Sequence, residues 1–202
     1  MKKRILAISM AVIVLVMAVA GTTLAWLQDI TDPVVNTFTE GKVDIDLYET
    51  PVNSGTNKAN SYKMVPGDVL SKDPTVVVKA GSEACWLFVK VEKINDVDTF
   101  LTYSIDSTVW TPLVDNNGDD VADNGVYYKE ITTYTATDTE YNVLTGKVVT
   151  VNPGVTMDNM KTLNADNYPQ LKFTAYAIQR ANVKDAAGNQ TAAAAWDALT
   201  DN

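Results

Sequence analysis

Apolar and polar residues alternate in short runs over most of the chain. Residues 42–47 place Val43, Ile45 and Leu47 on one face and Lys42, Asp44 and Asp46 on the other, the period-two pattern of a strand with one buried face. Residues 75–79 and 85–91 follow, and the second run differs. Cys85, Leu87, Val89 and Val91 share one face, while Trp86 and Phe88 stand with Lys90 on the opposite one. A strand that is apolar on both faces near its start belongs in the middle of a sheet. Further strands are predicted at 100–105, 108–113, 126–132, 147–151 and 171–178. Turn chemistry separates them. Val65-Pro66-Gly67-Asp68 and Asn152-Pro153-Gly154-Val155 set Pro then Gly where a type II turn wants them, and Asn124-Gly125 is a tight-hairpin signal. About eight short strands with this punctuation predict an all-β fold, a β-sandwich of the jelly-roll kind with short helices in its connections.

Helical periodicity is scarce. Residues 191–199 predict a short C-terminal helix, with Thr191 as N-cap ahead of an alanine run and Trp196 and Leu199 three apart on one side. Gly188-Asn189 marks the loop before it, and residues 51–63, rich in Asn, Ser, Gly and Lys, read as a surface loop. With no internal repeat and no linker, residues 26–202 read as one domain.

The first residues follow another pattern. Met1-Lys2-Lys3-Arg4 is basic, and the 16 residues at 5–20 carry no charge and one polar side chain, Ser9, before Gly21, Thr22 and Thr23. That is the layout of a secretory signal peptide, predicted here over residues 1–25. A retained membrane anchor is the rival reading, but a spanning helix needs roughly 20 apolar residues and this run is shorter. Two cut sites satisfy the small-x-small rule, after Ala20 and after Ala25.

Charge and composition narrow the function. The full chain has a net charge of −9; removing residues 1–25 takes away three basic and no acidic residues, so 16 basic become 13 against 25 acidic, a net charge of −12. Nucleic acid is thereby excluded as a partner, because phosphate binding needs clustered Lys and Arg. A single cysteine, Cys85, permits no intramolecular disulfide, and its apolar neighbours make it a buried small hydrophobe. The chain contains no histidine, which removes HExxH zinc sites, Ser-His-Asp triads and Cys-His pairs. No P-loop or Gly-rich dinucleotide fingerprint is present, so no catalytic residue and no cofactor is predicted.

One segment matches part of a calcium loop. Asp115, Asn117, Asp119 and Asp123 put oxygen side chains at the first, third, fifth and ninth positions, but Asp120 stands where an EF-hand needs Gly and Val126 where it needs Glu. A polar hairpin tip is the competing reading, since Asn, Asp and Gly are also the usual turn residues. Trp110, Tyr127 and Tyr128 are the aromatics that an adhesin or carbohydrate-binding module would expose; ordinary cross-strand packing is their alternative role.

Three stretches carry a family resemblance. Gly21-Thr22-Thr23-Leu24-Ala25-Trp26-Leu27-Gln28-Asp29-Ile30 with Asn36-Thr37-Phe38-Thr39-Glu40-Gly41-Lys42-Val43-Asp44-Ile45, Val65-Pro66-Gly67-Asp68-Val69-Leu70-Ser71-Lys72-Asp73, and Phe173-Thr174-Ala175-Tyr176-Ala177-Ile178-Gln179 resemble the TasA/camelysin family. The resemblance implies a secreted jelly-roll protein of Gram-positive bacteria, cut by a dedicated signal peptidase and assembled into biofilm-matrix fibres at the cell surface. It implies cleavage after Ala25, a mature chain that starts at Trp26, and as partners copies of itself with an accessory or anchoring matrix protein. Metalloprotease activity, credited to part of that family, finds no support in a chain without histidine.

The released N-terminus, residues 26–40, is apolar at Trp26, Leu27, Ile30, Val34, Val35 and Phe38 and interrupted by Asp32-Pro33. Pro33 donates no ladder hydrogen bond, so the segment suits an edge or an added strand. Two placements are open: packing on its own domain as a first strand, or donation to the sheet edge of the next subunit.

Overall fold

The computed structural model describes residues 2–24, 40–50, 60–114 and 125–200. The chain divides into two compact units, residues 1–39 and 40–202. In the first, α1 (Lys2–Leu24) exposes Ile5, Leu6, Ile8, Met10 and Val12 through Leu15, each more than half accessible. Counted over the described residues, no helix is long and apolar enough to cross a membrane.

The second unit is mostly β, with three antiparallel sheets and a few short helices. β1 (Ile45–Tyr48), β3 (Thr75–Val78) and β8 (Thr139–Asn142) form one sheet in the order β1-β3-β8. β10 (Gln170–Gln179), β4 (Cys85–Ile94), β7 (Val126–Ile131) and β6 (Thr111–Pro112) form the second in the order β10-β4-β7-β6. The third contains β2 (Val69–Ser71), β9 (Val148–Val151) and β5 (Leu101–Thr102) in the order β2-β9-β5.

β4 organises the packing. Its inner face, Cys85, Leu87, Val89 and Val91, meets Val76 and Val78 of β3 and Val149 of β9, so one core joins strands of all three sheets. Val43, Ile45 and Leu47 pack on the edge of that core, as their alternation predicts. Trp86 and Phe88 fill a second cluster with Ala192 and Ala195 of α4 (Ala192–Thr200). Small alanines let this helix lie close to the sheet, and Trp196 then stands 5.2 Å from the ring of Phe88 and 5.4 Å from that of Tyr176. Thr191 caps the helix as predicted, its Oγ1 accepting from the Ala194 amide at 3.1 Å. Each face of β4 therefore has its own apolar cover, and β10 and β7 pair along its two sides.

Several elements depart from the periodicity. Residues 108–113 were expected as a strand, but only Thr111–Pro112 pairs, at the sheet's edge where a proline is tolerated. The cause is Asp106, whose carboxylate accepts from the Thr108 amide at 3.0 Å while its carbonyl accepts from the Trp110 amide at 2.9 Å, closing a turn. The predicted strand at 100–105 shrinks to β5, because α2 (Val97–Phe100) takes its first residue. Lys147, expected in a strand, lies at φ 58° in a 3-10 turn over Thr145–Lys147. The turn at Pro66-Gly67 is type II, with Gly67 at φ 89° and the Asp68 amide 2.9 Å from the Val65 carbonyl. The turn at Pro153-Gly154 keeps the equivalent bond, Val155 to Asn152 at 3.1 Å, but Gly154 lacks the positive φ of type II. In the expected surface loop at 51–63, residues 51–59 lie outside the described residues, and Tyr62 is half-buried. β2, β8 and α3 (Met157–Lys161) add to the predicted elements.

Among the described residues Gly125 is the one glycine whose replacement meets backbone. Its φ is 78°, and an added Cβ would sit 2.0 Å from the Val91 carbonyl oxygen, while the Val91 amide donates to the Gly125 carbonyl at 2.8 Å. Gly125→Ala should destabilise the domain by more than about 2 kcal/mol in denaturant titration; a change under about 0.5 kcal/mol would contradict the close approach. Cys85 is fully buried, and burial pushes its thiol up to about 11. Native protein at pH 8 should therefore resist iodoacetamide and react only after unfolding.

Candidate functional site

β1, β2 and β10 are the terminal strands of their three sheets among the described residues, and all three border one groove. The groove has a volume of about 980 Å³ and lies wholly within the second unit. Leu47 from β1, Leu70 from β2, Val149 from β9, and Leu171 and Phe173 from β10 form its apolar walls, with Leu163 after α3 beside them. Val65, Ile94 and Tyr168 are exposed at its rim, so the apolar lining continues to the surface.

A charged pair is set into this lining. Lys72 Nζ donates to Glu49 Oε1 at 2.7 Å, and the two side chains are only 14% and 12% exposed. Glu49 also accepts from Asn60 Nδ2 at 3.2 Å. The Lys72 ammonium lies 5.2 Å from the Phe173 ring centre and 5.7 Å from that of Tyr62, a cation–π arrangement on two sides. Burial first, and then the charge of Glu49, raise the Tyr62 hydroxyl above its usual pKa. Next along the chain, Asp73 accepts from the Thr50 amide at 3.0 Å, which ties the end of the first strand to the segment after β2.

Among the described residues the charged side chains of the groove lining are Glu49, Lys63, Lys72 and Lys172. Lys172 is engaged by Glu92 at 2.9 Å, which leaves Lys72 as the partly buried cation of the groove. An apolar channel bordered by terminal strands has the shape of grooves that take extended chains, whose alternate side chains fill the walls.

Comparison with family models, with curated proteins and with solved structures finds no match. The groove's chemistry therefore stands on its own geometry.

The residues singled out in the sequence fall in different places. Ala25, Trp26, Leu27, Ile30, Val34, Val35 and Phe38 lie outside the described residues, as do Asp115, Asn117, Asp119 and Asp123. Among the described residues no three His, Cys, Asp or Glu side chains converge as a metal site would require. Of the two roles open to the aromatics, Trp110 takes the packing one: it is 1% exposed and its Nε1 donates to the Asn142 carbonyl at 2.8 Å. Tyr128 packs edge-on against Trp86 at 5.9 Å, and Tyr127 packs on the inner core, so both serve cross-strand packing. Glu49, Tyr62 and Phe173 were not predicted as a site. Glu49 and Lys72 are 23 residues apart and follow no motif.

The pair gives a direct test of the groove's electrostatics. Glu49→Ala strands a partly buried ammonium and should cost about 1–3 kcal/mol of stability. Replacing both partners, Glu49→Gln with Lys72→Met, should stay within about 1 kcal/mol of the parent in thermal and denaturant unfolding. A double substitution that costs the sum of Glu49→Gln and Lys72→Met measured singly would show that the pair is not coupled.

Proposed function

We propose that this chain is an exported structural subunit of the TasA/camelysin type, a jelly-roll domain that polymerises head-to-tail into extracellular matrix fibres. The observation that carries the reading is the apolar groove bordered by the terminal strands of all three sheets. The same chain supplies a matching occupant. Residues 26–40 carry six large apolar side chains, three carboxylates (Asp29, Asp32 and Glu40) and no Lys or Arg, which suits an apolar groove whose lining includes Lys63, Lys72 and Lys172. Donated to the next subunit, the segment gains backbone hydrogen bonds along a strand edge and apolar contacts below it. Such a contact uses different surfaces on its two sides, so it propagates instead of closing into a dimer.

Export fits the first unit. α1 is apolar around its described surface, the character of a signal peptide's hydrophobic region, and cleavage after Ala25 frees Trp26 to lead the donated segment. The adhesin reading loses its platform with Trp110 buried. Catalysis has no place in the proposal, and purified protein should leave casein intact.

Protein beginning at Trp26 should form fibres above a threshold concentration, seen by electron microscopy, and secreted protein should show Trp26 as its first residue. A chain lacking residues 26–35 should melt cooperatively yet remain monomeric. Fibres from that shortened chain would overturn the donated-strand mechanism, and a Gly21 N-terminus would show that an ordinary signal peptidase makes the cut.

A further inference from the structure

In an extended conformation alternate residues share a face. Residues 26, 28, 30, 32, 34, 36 and 38 then form one face: Trp26, Gln28, Ile30, Asp32, Val34, Asn36 and Phe38. Four large apolar groups recur at every fourth position, and a carboxylate stands in the middle of them. Asp32 precedes Pro33, which biases it toward extended backbone. A face that buries Trp26, Ile30, Val34 and Phe38 must bury Asp32 with them, and an unpaired carboxylate in an apolar channel is strongly disfavoured. The channel contains one partly buried ammonium, Lys72, held between Glu49, Phe173 and Tyr62.

We propose that Lys72 is the specificity determinant of the groove: it receives Asp32 of the incoming segment and so fixes the register of the inserted strand. This rests on the donated-strand reading above and adds to it a named ion pair between subunits. Lysine has three N–H donors, so Lys72 binds Asp32 while keeping Glu49. Glu49 holds the ammonium in place before the strand arrives, and the rings of Tyr62 and Phe173 limit its other orientations. A shift of the strand by two residues keeps its apolar face inward but sets Ile30 or Val34 against the charged pair and Asp32 against apolar wall. The ion pair therefore rejects registers that hydrophobic matching alone would accept. Lys63, exposed at the groove, and Lys172, engaged by Glu92, are the other lysines among its described lining residues and serve as controls.

The test is a double-mutant cycle on fibre growth by the chain that starts at Trp26. Critical concentration is measured for the parent, Asp32→Asn, Glu49→Gln/Lys72→Met, and the combination, with each variant's melting curve recorded to show that the domain is folded. The neutralised groove should raise the critical concentration by roughly tenfold or more, because it leaves Asp32 unpaired. Asp32→Asn should raise it in the parent and lower it in the neutralised groove, a reversal that only a direct coupling produces. Lys63→Met should change it by less than about twofold. If Asp32→Asn changes the critical concentration by the same factor in both backgrounds, the ion pair does not form and the proposal fails while the donated strand stands. If the parent itself grows no fibres, both fall together.

Discussion

The structure depends on one strand being apolar on both faces. β4 sets Cys85, Leu87, Val89 and Val91 against one layer and Trp86 and Phe88 against another, so neither face can be left to water. The inner face needs more area than one short sheet supplies, and β3 and β9 come to it from two separate sheets. The outer face is covered by a helix, because the strand pattern is spent and the remaining apolar residues, the alanine run with Trp196, have helical spacing. β10 and β7 pair on either side, which satisfies the backbone of a strand that water does not reach.

That arrangement explains where the groove lies. Three sheets that share a core through β4 each end in a terminal strand, and β1, β2 and β10 end beside one another. Their side chains continue the alternation of the core outward, so Leu47, Leu171 and Phe173 line a channel where a closed layer would have buried them. Exposed strand edges of this kind invite uncontrolled pairing, and proteins blunt them with charge. The Lys72–Glu49 pair is such a charge, but it is set inside the channel and fixed by Asn60. A fixed, partly buried pair adds little to stability and much to discrimination between partners.

The strongest parts of this fold were legible in the alternation itself. Residues 43, 45 and 47, the two faces of 85–91, and the capped helix at 191 all read correctly because a single local pattern determined each. The 108–113 segment misled because Val109 and Trp110 look like strand residues, whereas Asp106 turns the backbone with its own side chain before they can pair. Trp110 accordingly points into the core and not to solvent. β8 was silent for the opposite reason: Glu140 and Asn142 interrupt its strand formers Thr139 and Tyr141, and β3 imposes the conformation by pairing along its whole length. The groove could not be read at all, since its charged pair joins residues that follow strands of two different sheets and its walls are assembled by topology. Its proposed occupant was legible as an apolar segment broken by Asp32-Pro33.

Charge gives the last constraint. A mature chain starting at Trp26 carries 25 acidic residues against 13 basic ones, and like-charged subunits repel one another at the separations where hydrophobic contact has no reach. In the proposed assembly, association needs a contact whose attraction exceeds that repulsion, and the groove supplies an apolar surface whose lysines Lys72 and Lys172 are paired with Glu49 and Glu92. The segment proposed to enter it, residues 26–40, carries six large apolar side chains and three carboxylates without a single cation. In the proposed assembly, repulsion between acidic subunits penalises contacts other than entry of this segment into the groove, so the acidity favours the donated-strand geometry.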